Sequence, residues 1–453
     1  MNQRFFTCLI LAGSVFCCAG TYADVRHDRG RWHGKSSSHG RHGMVVSRKK
    51  QPVQQPEVAG NFTLAGVPGV PLEGDGGKAL QGFFSQLRRL ETRADSDERV
   101  RIMQIGDSHT AGDYFSQGLR VAFQQRFADG GPGWLRPAGL KNYRSALVVY
   151  QNTPSWQVFD SRVDRQSLFS LGGFLAVTRV AGQSLQYRFI HAESPQPSVV
   201  QLTWQGGVDA GRVNVVADGA VVNQIQTGGA PDGWMHFEIP LRITPQRLEL
   251  QTLDNKPVRL AGISLEYRRR GVVLDNIGTN GAQLSILSHW DGGELRHQLA
   301  RRNPSLVILA YGTNEAFDPD FSAEKLRAAL QDAAAVLRAS VPQAAVLLLG
   351  PPDSMRSRQC GGDVQRNLAL IRSVQRQWAA ANRWLYWDWS RVMGGRCGIA
   401  RWAEQQLART DYVHMTAQGY SLSAGALFAA LMRKYQQFIA GDAKPGHLAA
   451  KMR

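Results

Sequence analysis

The sequence predicts an α/β fold: a doubly wound parallel sheet interrupted, after its first strand and helix, by an inserted antiparallel β-sandwich. Three observations predict it. Apolar strands alternate with amphipathic helices over residues 271–440. A strand and helix of the same kind stand alone at 101–127. Between them, residues 136–270 carry only short β-rich runs broken by Gly, Pro, Asn and Asp.

Taken in order, Leu80, Phe83, Phe84, Leu87 and Leu90 follow helical spacing and predict a lead-in helix over Lys78 to Arg93. Arg101 to Ile105 reads as a strand that ends at Gly106-Asp107-Ser108. Ala111, Phe115, Leu119, Ala122, Phe123 and Phe127 mark one face of the helix that follows. The inserted segment shows strands at 146–150, 185–190, 199–204, 213–216, 236–239, 247–250 and 261–267, the spacing of an antiparallel sandwich. Strands at 272–277, 306–311, 345–349 and 384–389 then alternate with helices at 282–301, 323–339, 364–381 and 417–438. The runs at 306–311 and 345–349 are almost wholly apolar, as strands covered on both faces should be. Residues 441–453 are expected to form a C-terminal tail.

With 453 residues and 43% hydrophobic positions, the chain is long enough for two folded units. Arg4, the apolar run Phe5 to Ala19 and Thr21-Tyr22-Ala23 have the charged, apolar and small-residue parts of a secretory signal, residues 1–23. No later stretch is apolar enough to span a membrane, so no transmembrane anchor is expected after cleavage and the mature protein should be exported, periplasmic or envelope-associated. Cys8, Cys17 and Cys18 leave with the signal. Cys360 and Cys397 remain, an even pair that suggests one disulfide, with two separate buried thiols as the alternative.

Residues 24–77 are rich in Gly, Pro, Gln, Ser and basic side chains and predict a flexible tether. Residues 24–58 alone carry eight Lys/Arg and three Asp/Glu. The formal charge of +17 favours anionic surroundings, and export makes an anionic envelope surface a better partner for the tail than nucleic acid. The tail histidines, His27, His33, His39 and His42, match no rigid metal site, and neither a metal nor another cofactor is called for.

Four short segments carry the chemistry. Ser108 lies at a strand-to-helix junction, Asn280-Gly281 follows the second strand, Asn314 the third, and Asp411-Tyr412-Val413-His414 precedes the last helix. In an open parallel sheet these positions share the edge formed by the carboxyl ends of the strands. A serine hydroxyl is a poor nucleophile at neutral pH. His414 is the candidate base and Asp411 the residue that fixes its tautomer and stabilises the imidazolium. Charge developing on a carbonyl oxygen needs preorganised donors, for which the Ser108 and Gly281 amides and the Asn314 carboxamide fit. Gly281 is expected because a residue without Cβ permits close backbone approach. The kit is that of a serine esterase.

Gly106-Asp107-Ser108, Gly281, Gly312-Thr313-Asn314 and the Asp411/His414 pair resemble the four blocks of the SGNH (GDSL-type) hydrolase superfamily, whose doubly wound sheet is flavodoxin-like. More narrowly, Ile105 to Asp113, Asn280 to Gln283, Tyr311 to Glu315 and Asp411 to Tyr420 resemble bacterial peptidoglycan O-acetylesterases. His109 and Glu315 depart from the general superfamily and fit the narrower one. The resemblance implies that 78–135 and 271–440 are the two parts of the hydrolase domain and that 136–270 is a carbohydrate-binding-like insert. It also implies that the substrate is O-acetylated peptidoglycan or a related acetylated glycan, with the acetyl on the muramic acid C6 hydroxyl. Two alternatives stand beside this reading: an O-acetyltransferase using the same triad, and a non-catalytic envelope protein that binds glycan.

The neighbouring residues have plainer expectations. Asp107 is read as a structural hydrogen-bonding residue. His109 is read either as lining the pocket or as satisfying local backbone groups. Trp134, Trp156, Trp204 and Trp234 are read as packing residues rather than sugar platforms.

Overall fold

The computed structural model describes residues 69–74, 78–93, 97–190, 196–228 and 233–442. The expected signal, most of the tether and the tail beyond residue 442 lie outside them. A 3₁₀ turn at Lys78–Leu80 leads into α1 (Gln81–Thr92), which buries Phe83, Phe84, Leu87 and Leu90. Strand β1 (Arg99–Gly106), the single turn α2 (Ser108–Ala111) and helix α3 (Phe115–Phe127) follow.

Eleven antiparallel strands come next: β2 (Gly133–Leu135), β3 (Val148–Asn152), β4 (Gln157–Asp160), β5 (Phe174–Thr178), β6 (Ser184–Phe189), β7 (Ser198–Gln205), β8 (Arg212–Ala217), β9 (Ala220–Gln226), β10 (Trp234–Leu241), β11 (Arg247–Thr252) and β12 (Val258–Tyr267). They form two sheets, one ordered β10-β7-β12-β5-β4 with β2 paired to β12, the other β3-β6-β11-β8-β9. Alternating inward residues such as Leu202, Trp204, Val213, Val215, Leu248 and Leu250 fill the space between them. The sandwich starts slightly before the expected residue 136, because Gly133 to Leu135 pair with Leu265 to Ile263.

The α/β pattern resumes with β13 (Gly271–Gly278), a 3₁₀ segment at Leu284–His289 and α4 (Gly292–Arg302). The single helix expected over 282–301 is thus split, because Asp291 ends the first piece and caps the second by accepting from the Glu294 amide at 2.9 Å. The remaining elements are β14 (Leu306–Ala310), α5 (Thr313–Phe317), α6 (Ala323–Ser340), β15 (Ala345–Gly350), α7 (Gly362–Asn382), β16 (Leu385–Asp388), α8 (Trp389–Val392), α9 (Gly398–Glu404) and α10 (Ala417–Asp442).

The five parallel strands are ordered β13-β1-β14-β15-β16, so successive strands run outward in both directions from β1. One face, with Val100, Ile102 and Ile308, packs against α1, α3 and α10 through Phe84, Phe123 and Tyr435. The other face, with Met103, Ile105 and Leu309, packs against α4, α6 and α7. Trp134, Phe169, Leu171 and Phe174 of the inserted domain share that second core, which seats the sandwich on the sheet. A buried ionic network reinforces the seam: Arg302 donates to Asp275 and Glu266 at 2.8 Å each, and Arg101 donates to Glu266 at 2.9 and 2.6 Å. Burial alone would push the Glu266 carboxyl up, but Arg302, Arg101 and Arg99 together hold it at about 2.

One expectation changes. Residues 69–74, placed in the flexible tether by composition, are docked. Val70 and Leu72 are buried, and Glu73 exchanges backbone hydrogen bonds with Tyr386 at 2.9 and 3.0 Å while its carboxylate pairs with Arg376. This short segment covers the otherwise open edge of β16, and it is the apolar alternation of Val70 and Leu72 that pays for its order. Trp134, Trp156 and Trp204 are each under 9% exposed, consistent with packing and leaving no face for sugar, while Trp234 is only partly buried and its Nε1 lies 3.4 Å from Asp291 Oδ2. Cys360 and Cys397 are joined as a disulfide with Cα atoms 5.6 Å apart, closing the loop that precedes α7 onto the start of α9.

Candidate active site

Strand β1 lies between β13 and β14, with Gly106 opposite both Gly278 and Ala310, so the three loops that leave these strands emerge side by side. They deliver Ser108, Gly281 and Asn314. The turn at Ser108 is set by its neighbours. Gly106 leaves no room for a side chain, since a Cβ there would lie 2.2 Å from Thr110 Oγ1 and 2.7 Å from the Ala310 carbonyl. Asp107 caps the turn, accepting from the His109 amide at 2.9 Å. Ser108 is thereby held half-buried at the first position of α2, where backbone amides are free of helical partners.

The base arrives from the far end of the chain. Ser108 Oγ is 2.9 Å from His414 Nε2, and His414 Nδ1 is 2.9 Å from Asp411 Oδ2. The other Asp411 oxygen accepts from the amides of Val413 and His414 at 2.9 Å each. One carboxylate therefore closes the turn and orients the imidazole. Tyr412 takes a left-handed φ of 55° inside this turn, and its carbonyl accepts from Met355 at 2.9 Å, which ties the loop to the end of β15. Burial pushes the Asp411 carboxyl up, but the His414 and Val413 amides and the His414 ring outweigh it, and the group sits below its ordinary value. It is charged at neutral pH and holds the Nδ1 proton of the ring. Side-chain exposures of 34% for His414 and 45% for Asp411 leave the pair open to water.

Asn314 opens α5, and its amide nitrogen donates to the Ala282 carbonyl at 2.9 Å. One hydrogen of the carboxamide is spent on aligning the group, and the second remains for an oxyanion. Gly281 has a φ of +73° and is exposed, and a Cβ there would touch only the Arg162 side chain at 3.7 Å or more. The backbone conformation alone thus favours glycine here, and no protein backbone crowds the position. The loop is braced by Tyr143, which has no sequence signal, and by Glu315 of the third block: the Tyr143 hydroxyl accepts from the Asn280 amide at 3.0 Å, and Glu315 accepts from the Leu284 amide at 2.8 Å.

His109 does not satisfy local backbone. Its Nδ1 lies 2.8 Å from the Tyr420 hydroxyl, and its ring sits 5.4 Å from that of His414 and 5.5 Å from Trp389, measured between centroids. Burial, with the nearby His414 adding to it, holds His109 well below the usual imidazole range and therefore neutral. With Asp107, Thr313 and Trp389 it lines a small space of about 10 Å³.

Two buried carboxyls beneath the site give a measurable signature. Burial, with the charge of Glu315 adding to it, raises Asp107 to about 8 against the opposing His109 amide. Burial likewise raises Glu315 to about 7. Both folded values exceed the unfolded range near 4. The stability they contribute is therefore fully present below about pH 4 and is lost as pH rises through about 7 to 8. Urea midpoints of the wild type are expected to decline over that window. The Asp107→Asn variant, which keeps an acceptor for the His109 amide, should decline less. Parallel curves for the two proteins would show that Asp107 is not the titrating group.

The chain is similar to known proteins in both of its folded parts. The model of the GDSL-like lipase/acylhydrolase family matches residues 255–422, which include Gly281, Asn314, Asp411 and His414, and the model of the N-terminal part of peptidoglycan O-acetylesterase matches residues 130–242. No curated protein sequence matches the chain. Among solved structures, a family two carbohydrate esterase from Cellvibrio japonicus is 14% identical with a TM-score of 0.27, covering 64% of this chain and 98% of its own. A family 35 carbohydrate binding module from an environmental isolate is 13% identical with a TM-score of 0.24, covering 29% and 90%. A peptidoglycan O-acetylesterase matches far better, with 30% identity and a TM-score of 0.71 over 81% of this chain and 99% of that one. On that identity and coverage, the chain belongs to the peptidoglycan O-acetylesterase family of GDSL-type acylhydrolases.

Proposed function

We propose that this protein is a serine esterase that removes O-acetyl groups from peptidoglycan, and that the ester it cleaves is carried on the C6 hydroxyl of muramic acid. The observation that carries the reading is the unbroken hydrogen-bond chain from Ser108 through His414 to Asp411, each link 2.9 Å, at the edge of a sheet in a chain of this family.

Ser108 Oγ attacks the acetyl carbonyl carbon and passes its proton to His414 Nε2. Asp411 stabilises the imidazolium, and the oxyanion is held by the Ser108 and Gly281 amides and the free hydrogen of the Asn314 carboxamide. Collapse of the tetrahedral state expels the sugar C6 oxygen, which takes the proton from His414, and leaves acetyl on Ser108. Water, deprotonated by His414, then releases acetate. The chemistry is complete without a cofactor. The protein acts after export, in the periplasm or cell envelope, with the basic tail on an anionic surface and the sandwich on glycan.

The exposure of His414 and Asp411 favours water over a second sugar as acetyl acceptor, since nothing described shields the acetyl-enzyme. Incubation with O-acetylated peptidoglycan and an unacetylated glycan, followed by mass spectrometry, tests this. Free acetate without acetylated acceptor is the expected result, and transfer exceeding hydrolysis would make the protein a transferase.

A further inference from the structure

The inserted domain contributes one cation to the rim of the site. Arg162 lies just past β4, and its side chain runs along Gly281: a Cβ at Gly281 would stand 3.7 Å from Arg162 Cδ, 3.8 Å from Nε and 3.9 Å from Cζ. Arg162 is exposed, and among the described residues its guanidinium makes no ion pair or hydrogen bond. Asp160, two residues earlier, uses Oδ1 to accept from the Arg162 backbone amide at 2.8 Å.

The loop that presents Arg162 is fixed. Ser161 is fully buried; its Oγ accepts from Trp290 Nε1 at 3.0 Å, and its amide donates to the Gly173 carbonyl at 2.9 Å. Trp290 follows directly on the 3₁₀ segment that begins after Gly281, so loop and oxyanion loop are held to one another. Asp164 closes the next turn, accepting from Ser167 Oγ at 2.6 Å. Most arginines at the domain seam are consumed by carboxylates, Arg101 and Arg302 among them. The Arg162 charge draws on Asp160 and Tyr143, but its donors are left without a hydrogen-bonded partner among the described residues, beside the oxyanion loop.

A neutral acetyl ester gives a guanidinium nothing to pair with, whereas a planar carboxylate matches its fork of donors. Building on the esterase reading above, we propose that Arg162 is a specificity-determining residue through which the inserted domain binds a carboxylate of the acetylated glycan, either on the peptide stem or, on residues whose lactyl carboxyl carries no stem, on the lactyl ether. The acetyl group is cleaved by the hydrolase domain, and the anion that identifies the polymer is read by Arg162.

The test compares the full-length mature wild type, Arg162→Ala and Arg162→Lys on three substrates. These are O-acetylated peptidoglycan, the same polymer with its carboxyls amidated, and a small neutral acetyl ester. Amidation is expected to lower wild-type kcat/KM about 10- to 100-fold, the scale of one charge-assisted hydrogen bond, mainly through KM. Arg162→Ala should show that loss already on the native polymer and no further loss on amidation, with Arg162→Lys in between. All three proteins should cleave the small ester within about twofold of one another, which also reports that they are folded. A stem-free glycan that keeps only lactyl carboxylates then assigns the anion: a retained Arg162 effect places it on the lactyl group, and a lost one on the stem. The inference is overturned if Arg162→Ala keeps wild-type activity on the native polymer, if amidation penalises both proteins equally, or if the small ester falls in parallel, which would put Arg162 in the chemistry itself. A wild type that cleaves the small ester but neither form of the polymer removes the esterase reading and this inference with it.

Discussion

Replacing Ser108 by alanine is expected to lower kcat for acetyl esters at least about 10⁴-fold while leaving the thermal midpoint unchanged. The loss is large because, among the described residues, Ser108 alone donates or accepts a hydroxyl hydrogen bond at His414 Nε2, and because base and oxyanion donors alone cannot form the acetyl-enzyme. The fold should be indifferent, since Ser108 is only half-buried and the turn that holds it is set by Gly106 and Asp107. Activity in a folded Ser108→Ala protein within about tenfold of wild type would remove Ser108 as the nucleophile.

Asn314→Ala is expected to reduce kcat about 10²- to 10³-fold, which corresponds to roughly 2.7–4 kcal/mol of transition-state stabilisation from one oxyanion donor. The side chain is already aligned by its bond to Ala282, so the donor waits in place and costs little to organise at the moment of reaction. KM should hardly change. A defect confined to KM would instead mean that Asn314 grips the ground-state substrate.

The sequence carried the fold where burial imposes a period. Strands β14 and β15 are apolar at every position because helices cover both faces, and α1 and α3 show their buried stripe directly. Strands β4, β5 and β9 were less legible. β9 is an edge strand with Ile225 as its one buried residue, so it has no alternation to read. The docking of Val70 to Glu73 was hidden for the opposite reason, because four ordered residues follow a long stretch whose composition is that of a tether. At the site, Ser108, Asn314, Asp411 and His414 stood out because ester chemistry asks for those residue types at strand ends, and the fold joins Ser108, His414 and Asp411 in one hydrogen-bonded chain. The supports were not: Tyr143 and Tyr420 reach the site from other elements, through contacts that span up to 311 residues and leave no local pattern.

Whether the Ser108 chain of hydrogen bonds cleaves acetyl esters of peptidoglycan is read from free acetate released by the wild type and by Ser108→Ala from natively O-acetylated peptidoglycan, with base-deacetylated polymer and acetylated xylan as comparisons. Acetate is expected from the native polymer with wild type alone, none from the deacetylated polymer, and slower release from xylan. No release from peptidoglycan by a wild type that cleaves xylan, or equal release by Ser108→Ala, would contradict this expectation.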